Sequence, residues 1–183
     1  FPYTTLFRSL HKSRPEVHLR VLVPDDAGWV VTTDRVSATN LARPIGFVED
    51  RLREELEAGE WASADRFGWA IIIDGTASGF ALVDDLDQRD AELQLRIAPK
   101  ARGRGAGREV LRQLADHHFS AQPGLVRLTG RSHEHNVPMQ RTFNAAGFRM
   151  EARYRDAYSS GDGASASEWG YALTRSDWQA GRH

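Results

Sequence analysis

Apolar residues recur along this chain at two spacings, every second position or every third to fourth, and the switches between them divide it into short strands and helices. Residues 18–23 alternate and predict a first strand, ended by Pro24-Asp25-Asp26. Asp25 or Asp26 is expected to cap a short helical stretch through Trp29, with residues 32–44 less regular. Residues 46–59 carry Phe47, Leu52 and Leu56 among many charges, an amphipathic helix stopped by Gly59. Residues 67–73 read as a strand turned by Asp74-Gly75, a hairpin signal, with residues 78–86 returning. Residues 92–98 follow with Leu93, Leu95 and Ile97 on one face. A helix from Arg108 to about Ala121 is written by Val110, Leu111, Leu114, Ala115 and Phe119. A strand over residues 125–131, a helix over 138–146 and strands over 148–158 and 168–174 complete the pattern, the last two joined by a Gly/Ser/Ala-rich stretch. The order β-α-α-β-β-β-α-β-α-β-β, with neither repeat nor second domain, supports an α+β fold.

Composition narrows the classes. A chain of 183 residues and formal net charge −1 fits one domain with a sizeable core. No apolar run approaches the ~20 residues that span a membrane and no signal peptide is visible, so the expected location is cytoplasmic. Without cysteine there is neither a disulfide, nor a thiolate zinc site, nor an acyl-cysteine intermediate. The near-neutral charge argues against nucleic acid as a partner. Lys12 and Lys100 are the only lysines among many arginines, a G·C-rich coding bias that points to a bacterial source. Residues 1–9, Phe-Pro-Tyr-Thr-Thr-Leu-Phe-Arg-Ser, look like the translation of a sequencing-adapter oligonucleotide. They are expected to be a non-native scar, with residues 10–183 forming one domain.

The chemistry concentrates between Pro99 and Arg108. Gly103, Gly105 and Gly107 let a backbone turn sharply and approach a ligand, among Arg102, Arg104 and Arg108. A glycine-rich turn opening a helix aims N–H groups and the positive end of the helix dipole at one point, a site for phosphate or pyrophosphate. A P-loop would end in Gly-Lys-Ser/Thr, and here Arg108-Glu109 follows Gly107. The dinucleotide fingerprint would put its third glycine at position 108, which is Arg. Taken alone the segment could still be a solvated loop and helix cap.

Arg102-Gly103-Arg104-Gly105-Ala106-Gly107, preceded by Ile97-Ala98-Pro99, resembles the pyrophosphate signature Gln/Arg-x-x-Gly-x-Gly/Ala of GNAT-type acetyltransferases. Further on, Asn136, a helix and Gly147-Phe148 resemble the family's second landmark, and the resemblance covers roughly residues 17–178. It implies a mixed, mostly antiparallel central sheet with helices on both faces. It also implies acetyl transfer from acetyl-CoA, as cosubstrate and without a metal, to a primary amine of a protein N-terminus or small molecule, by direct attack in a ternary complex. A non-catalytic acyl-CoA-binding module is the alternative.

By the same resemblance the pantetheine would lie along the backbone of Leu95, Ile97 and Ala98, like an added strand. Residues Arg102, Gly103, Arg104, Gly105, Ala106, Gly107 and Arg108 would hold the pyrophosphate. A backbone N–H at Leu95 or Ile97 would polarise the thioester carbonyl. Asn136 would contact the cofactor, or serve only as a helix cap. Phe143 stands where the family often has the Tyr that protonates the departing thiolate, and a phenyl ring donates no proton. That departure, Glu109, and the late Glu168-Trp-Gly-Tyr171 are similar to the ribosomal-protein N-terminal acetyltransferase branch.

Candidate bases are Glu92 on the fourth strand, otherwise a solvated edge residue, and His133, Glu134 and His135 at the end of the fifth, otherwise a polar strand end. A strong base is not required for every amine. At pH 7 neutralising an α-amine costs about 1 kcal/mol, against about 4.6 for a Lys amine. The acidic run Asp84-Asp85, Asp87, Asp90 is either an attractor for a cationic amine or a solvated hairpin. A homodimer is compatible with the sequence and not written in it.

Overall fold

The computed structural model describes residues 14–38, 44–159 and 165–181. The expected scar, residues 1–9, lies outside them, as do 39–43 and 160–164. Seven strands form one sheet in the order β1-β2-β3-β4-β5-β7-β6. They are β1 (Val17–Val21), β2 (Phe67–Ile73), β3 (Thr76–Asp84), β4 (Asp90–Ile97), β5 (Arg127–His133), β6 (Arg149–Ser159) and β7 (Ser165–Thr174). Every pairing is antiparallel except β4 with β5. The helices are α1 (Ala27–Ser37), α2 (Glu49–Glu57), α3 (Ala106–Ala121), α4 (Val137–Ala145) and α5 (Arg175–Gln179).

Strand alternation sorts the apolar residues into two cores. Ile71, Ile73, Ala81, Val83 and Leu93 face α3 and α4, meeting Val110, Leu111, Leu114, Phe119 and Phe143. Ala70, Phe80 and Leu82 face the other way, against Val30 and Val31 of α1 and Leu52 and Leu56 of α2. The fold is thus the expected α+β sandwich with helices on both faces. Its central strands are apolar on both sides because both sides are covered. Burying one such Leu, Val or Phe stabilises the fold by about 1.5–3 kcal/mol.

Several boundaries depart from the sequence reading. The first helix continues eight residues past Trp29, to Ser37, despite Val-Val-Thr-Thr at its centre. β-Branched residues disfavour a helix only weakly, and packing of Val30 and Val31 on the sheet overrides them. Asp26 does not cap that helix through its side chain. Its buried carboxylate reaches back to the Val23 N–H (2.9 Å), the Trp29 indole (2.7 Å) and the Arg20 guanidinium (2.6 and 2.7 Å). Burial pushes the Asp26 pKa up, but the bonds from Arg20, Val23 and Trp29 outweigh it and hold it below the usual range. The second helix begins only at Glu49, after Gly46 at φ 88° and an extended Val48, and Gly59 at φ 75° ends it as expected. Asp74 and Gly75 both take positive φ, the tight turn their sequence predicts.

The short helix α5 has no counterpart in the sequence reading. Thr174 caps it by accepting from the Asp177 N–H, and Trp178 binds Asp116 of α3 at 2.7 Å while packing on Phe119.

Candidate active site

Two strands part at the centre of the sheet. β4 pairs with β5 only at Asp90↔Arg127, Ala91↔Leu128 and Glu92↔Thr129, while its pairing with β3 continues to Ile97↔Gly79. A wedge therefore opens beyond Glu92. The Ala98 N–H donates to Ser78 O at 2.8 Å. Alternation of antiparallel hydrogen bonding then points the backbone groups of residues 94, 96 and 98 at β3, and those of Leu93, Leu95 and Ile97 into the wedge. The Ile97 carbonyl is already occupied, accepting from Arg102 Nε (2.7 Å) and Ser37 Oγ (3.3 Å).

The glycine loop stands at the far end of β4, and its three glycines do different work. Gly103 and Gly105 have φ 76° and 86°, and a Cβ on either would meet nothing within 4 Å. They supply a left-handed turn beside open space, with Gly105 as the N-cap residue of α3. Gly107 is a packing residue: a Cβ there would lie 3.0 Å from Thr142 Cγ2 of α4. The first N–H groups of α3, at Ala106, Gly107 and Arg108, have no acceptor within the helix and face the loop with the positive end of its dipole. This is a cradle that fits a phosphate group.

The arginines divide similarly. The Arg102 guanidinium turns inward, binding the carbonyls of Ile97 and of Ser37 (3.3 Å), and burial lowers its pKa. Arg104 is tied to Asp74 of the β2–β3 turn at 2.7 Å. Arg108 is exposed.

Asn136 caps α4, its side-chain oxygen accepting from the Met139 N–H at 3.3 Å. Phe143 is 1% exposed; it stacks on Tyr171 (4.8 Å between centroids, 11° between planes) and leans on Phe148. Its ring lies under β5 so closely that a Cβ on Gly130 would sit 2.7 Å from it.

Glu92 stands at the last rung of the β4–β5 ladder, half-exposed, with Arg131 Nε 3.5 Å from its Oε1. Both line a cavity of about 370 Å³ over the uncovered face of the second half of the sheet, with Thr129, Glu151, Tyr154 and Gly170. His133 is buried edge-on to Tyr158 (4.7 Å), and its Nδ1 accepts the His135 N–H at 3.1 Å. That bond places the proton of the neutral ring on Nε2 and engages the one ring lone pair, on Nδ1, with the His135 N–H. Glu134 accepts from the Ser167 N–H (2.8 Å) and Arg153 (3.2 Å); the Ser167 bond first, and Arg153 after it, hold its pKa low. His135 is exposed.

Arg131, Tyr154, Arg96 and Asp34 were not singled out by the sequence. Nothing in the sequence marks them: each is an ordinary polar residue until strand pairing brings Arg131 and Tyr154 to the cavity and the packing of α1 brings Asp34 to Arg96.

A family model described as an acetyltransferase (GNAT) domain matches residues 16–149. Among solved structures, the chain is similar to spermidine N-acetyltransferase from Vibrio cholerae in complex with CoA and spermine: 17% identity, TM-score 0.76, covering 89% of this chain and 98% of that one. It is also similar to Mycobacterium smegmatis RimJ in complex with CoA-disulfide: 20% identity, TM-score 0.72, covering 91% and 90%. A GNAT-family acetyltransferase from Streptococcus pneumoniae is similar at 17% identity, with TM-score 0.72 over 87% of this chain and 99% of that one. No curated protein sequence matches the chain. With the wedge, the glycine cradle and the matched domain on one sheet, the chain belongs to the GNAT acetyltransferases, enzymes that move an acetyl group from acetyl-CoA to an amine.

Proposed function

We propose that this enzyme acetylates a primary amine, on a protein N-terminus or a small molecule, by direct attack on acetyl-CoA held in the wedge. One observation carries the reading: the Leu95 backbone faces an opening that ends at an α3 N-terminus capped by left-handed Gly105. The pyrophosphate would lie on the N–H groups from Arg104 to Arg108, and the pantetheine along Leu95 and Ile97. The Ala98 N–H is spent on β3 and the Arg102 side chain on the Ile97 and Ser37 carbonyls. Asn136 would contact the cofactor with what its capping role leaves over. The substrate nitrogen attacks the carbonyl carbon, whose oxygen draws on the Leu95 N–H, and the C–S bond breaks as the amide forms.

Glu92, at the mouth of the wedge, is the better base; His133 has its Nδ1 committed to His135. A weakly basic α-amine would ask little of either, and holding amine and thioester together supplies much of the rate. Phe143 is sealed in the core, so the thiolate takes its proton from water or another side chain. The same observation favours a second reading, a non-catalytic acyl-CoA-binding module. We read residues 10–183 as one cytoplasmic domain of the kind of the ribosomal-protein N-terminal acetyltransferases. Among the described residues no helix is long and apolar enough to cross a membrane. Thermal shift with acetyl-CoA, CoA and ATP side by side tests the site. Stabilisation by both CoA species and not by ATP, followed by CoA release with an amine, supports the reading. Binding without turnover would favour the module, and no shift with either CoA species would overturn both.

A further inference from the structure

Arg102 leads the glycine loop, yet its side chain turns inward and closes a junction of three elements. Its Nε donates to the Ile97 carbonyl at 2.7 Å and its Nη2 to the Ser37 carbonyl at 3.3 Å. Ser37 Oγ donates to the same Ile97 carbonyl at 3.3 Å. Ile97 is the last residue of β4, well past the final β4–β5 rung at Glu92, in the open part of the wedge. Ser37 is the last residue of α1 and is 2% exposed.

A helix leaves its last carbonyls without intrahelical partners, and the negative end of its dipole gathers there. The Arg102 guanidinium meets both needs at the end of α1, capping the Ser37 carbonyl and bringing a positive charge to the dipole. Its planar fork holds two carbonyls at once in a fixed geometry, which a lysine ammonium on a flexible stem does not reproduce. α1 packs on the sheet face opposite α3, against Ala70, Phe80 and Leu82. Its C-terminal turn therefore reaches the wedge from the side that the cradle leaves open, and Arg102 ties that turn to the loop from which α3 starts. Arg104 is likewise engaged, with Asp74. With both side chains turned to the protein, the backbone N–H groups of the loop are what the cradle offers a phosphate.

We propose that Arg102 is a positioning residue for the acceptor and not a ligand of the cofactor. By bridging Ile97 and Ser37 it fixes the last turn of α1 at the wedge, so the wall that an incoming amine meets is set by the loop that cradles the pyrophosphate. The inference rests on the reading of the wedge as the acetyl-CoA site, with the amine entering from the face opposite α3. It departs from the role that the glycine signature implies for its leading arginine: a change at this residue is felt by the amine and not by the cofactor.

The test compares the wild type with Arg102→Met, which keeps an apolar stem and removes the fork, and Arg102→Lys, which keeps the charge. Calorimetry measures acetyl-CoA affinity, and amide hydrogen exchange of the acetyl-CoA complex follows the last turn of α1. Steady-state kinetics gives kcat and KM with spermidine and with Ala-Ala-Ala amide as amine probes. Arg102→Met should leave the acetyl-CoA dissociation constant within about threefold and speed exchange at the end of α1 by about tenfold or more. It should raise the amine KM by a similar factor with kcat little changed, and Arg102→Lys should restore part of both. A dissociation constant weakened by about tenfold or more, with α1 exchange unchanged, would make Arg102 a phosphate ligand and overturn the proposal. So would exchange that speeds equally in α1 and the sheet, the mark of a purely structural arginine, or wild-type exchange in the Met variant. If neither probe is turned over, affinity and exchange decide. If Arg102→Met does not fold, Arg102→Lys is read by the same criteria. Any of these failures with acetyl-CoA still bound by the wild type removes this inference alone; a wild type that does not bind acetyl-CoA removes the reading beneath it.

Discussion

Gly105 and Gly107 are two residues apart and need to be glycine for unrelated reasons. At Gly105 the backbone sits at φ 86° in open space. Gly105→Ala should cost about 1–2 kcal/mol for the left-handed turn and leave cofactor binding nearly intact. Gly105→Glu should fold and abolish the acetyl-CoA thermal shift, because it sets a negative side chain against the phosphate cradle. At Gly107 the constraint is Thr142, 3.0 Å from the missing Cβ. Gly107→Val should cost about 1–3 kcal/mol by forcing α3 from α4, read as a lower urea midpoint. Glu92 yields a chemical prediction: Glu92→Gln should lower kcat/KM by about 10²–10⁴ if it takes the proton, with acetyl-CoA affinity unchanged. An unchanged rate would assign the proton to water.

The α3 helix carries a pH dependence that belongs to the element as a whole. His118 on its inner face is buried, accepts the Trp69 indole N–H at 3.1 Å, and neighbours His117. Burial first, and the charge of His117 second, lower its pKa from 6.5 to about 4. The neutral ring is the native form, so its contribution is fully present above pH 6.5 and is lost as pH falls toward about 4. A shift of that size corresponds to roughly 3 kcal/mol. Urea unfolding across that window should show the loss, and His118→Gln, which keeps an acceptor for the indole, should flatten it. In the same C-terminal turns of the helix, Trp178 of α5 holds Asp116 and covers Phe119. Trp178→Ala should cost about 2 kcal/mol without touching acetyl-CoA binding, measured by denaturation and thermal shift together.

For the molecule as a whole, ligand linkage gives the broadest check. Acetyl-CoA at 100 times its dissociation constant should stabilise the protein by about 2.7 kcal/mol, and ATP should leave it unmoved. The element order, the Asp74-Gly75 turn and the glycine loop were legible in the sequence, because each is written in local periodicity or in residues that only a turn requires; the helices on both faces came only with the family resemblance. The reach of α1 to Ser37 and the existence of α5 were not, since packing against distant elements outweighs weak local preference there. The candidate site divides along the same line. Sequence alone determined the glycine turn that opens α3, as neighbouring residues build that loop. It determined neither that β4 leaves β5 after Glu92, nor that Arg102 turns inward, Phe143 is sealed beneath Gly130, and Arg96 of β4 meets Asp34 of α1. Those are relations between residues far apart in the chain, and only strand pairing and the packing of helices on the sheet could decide them.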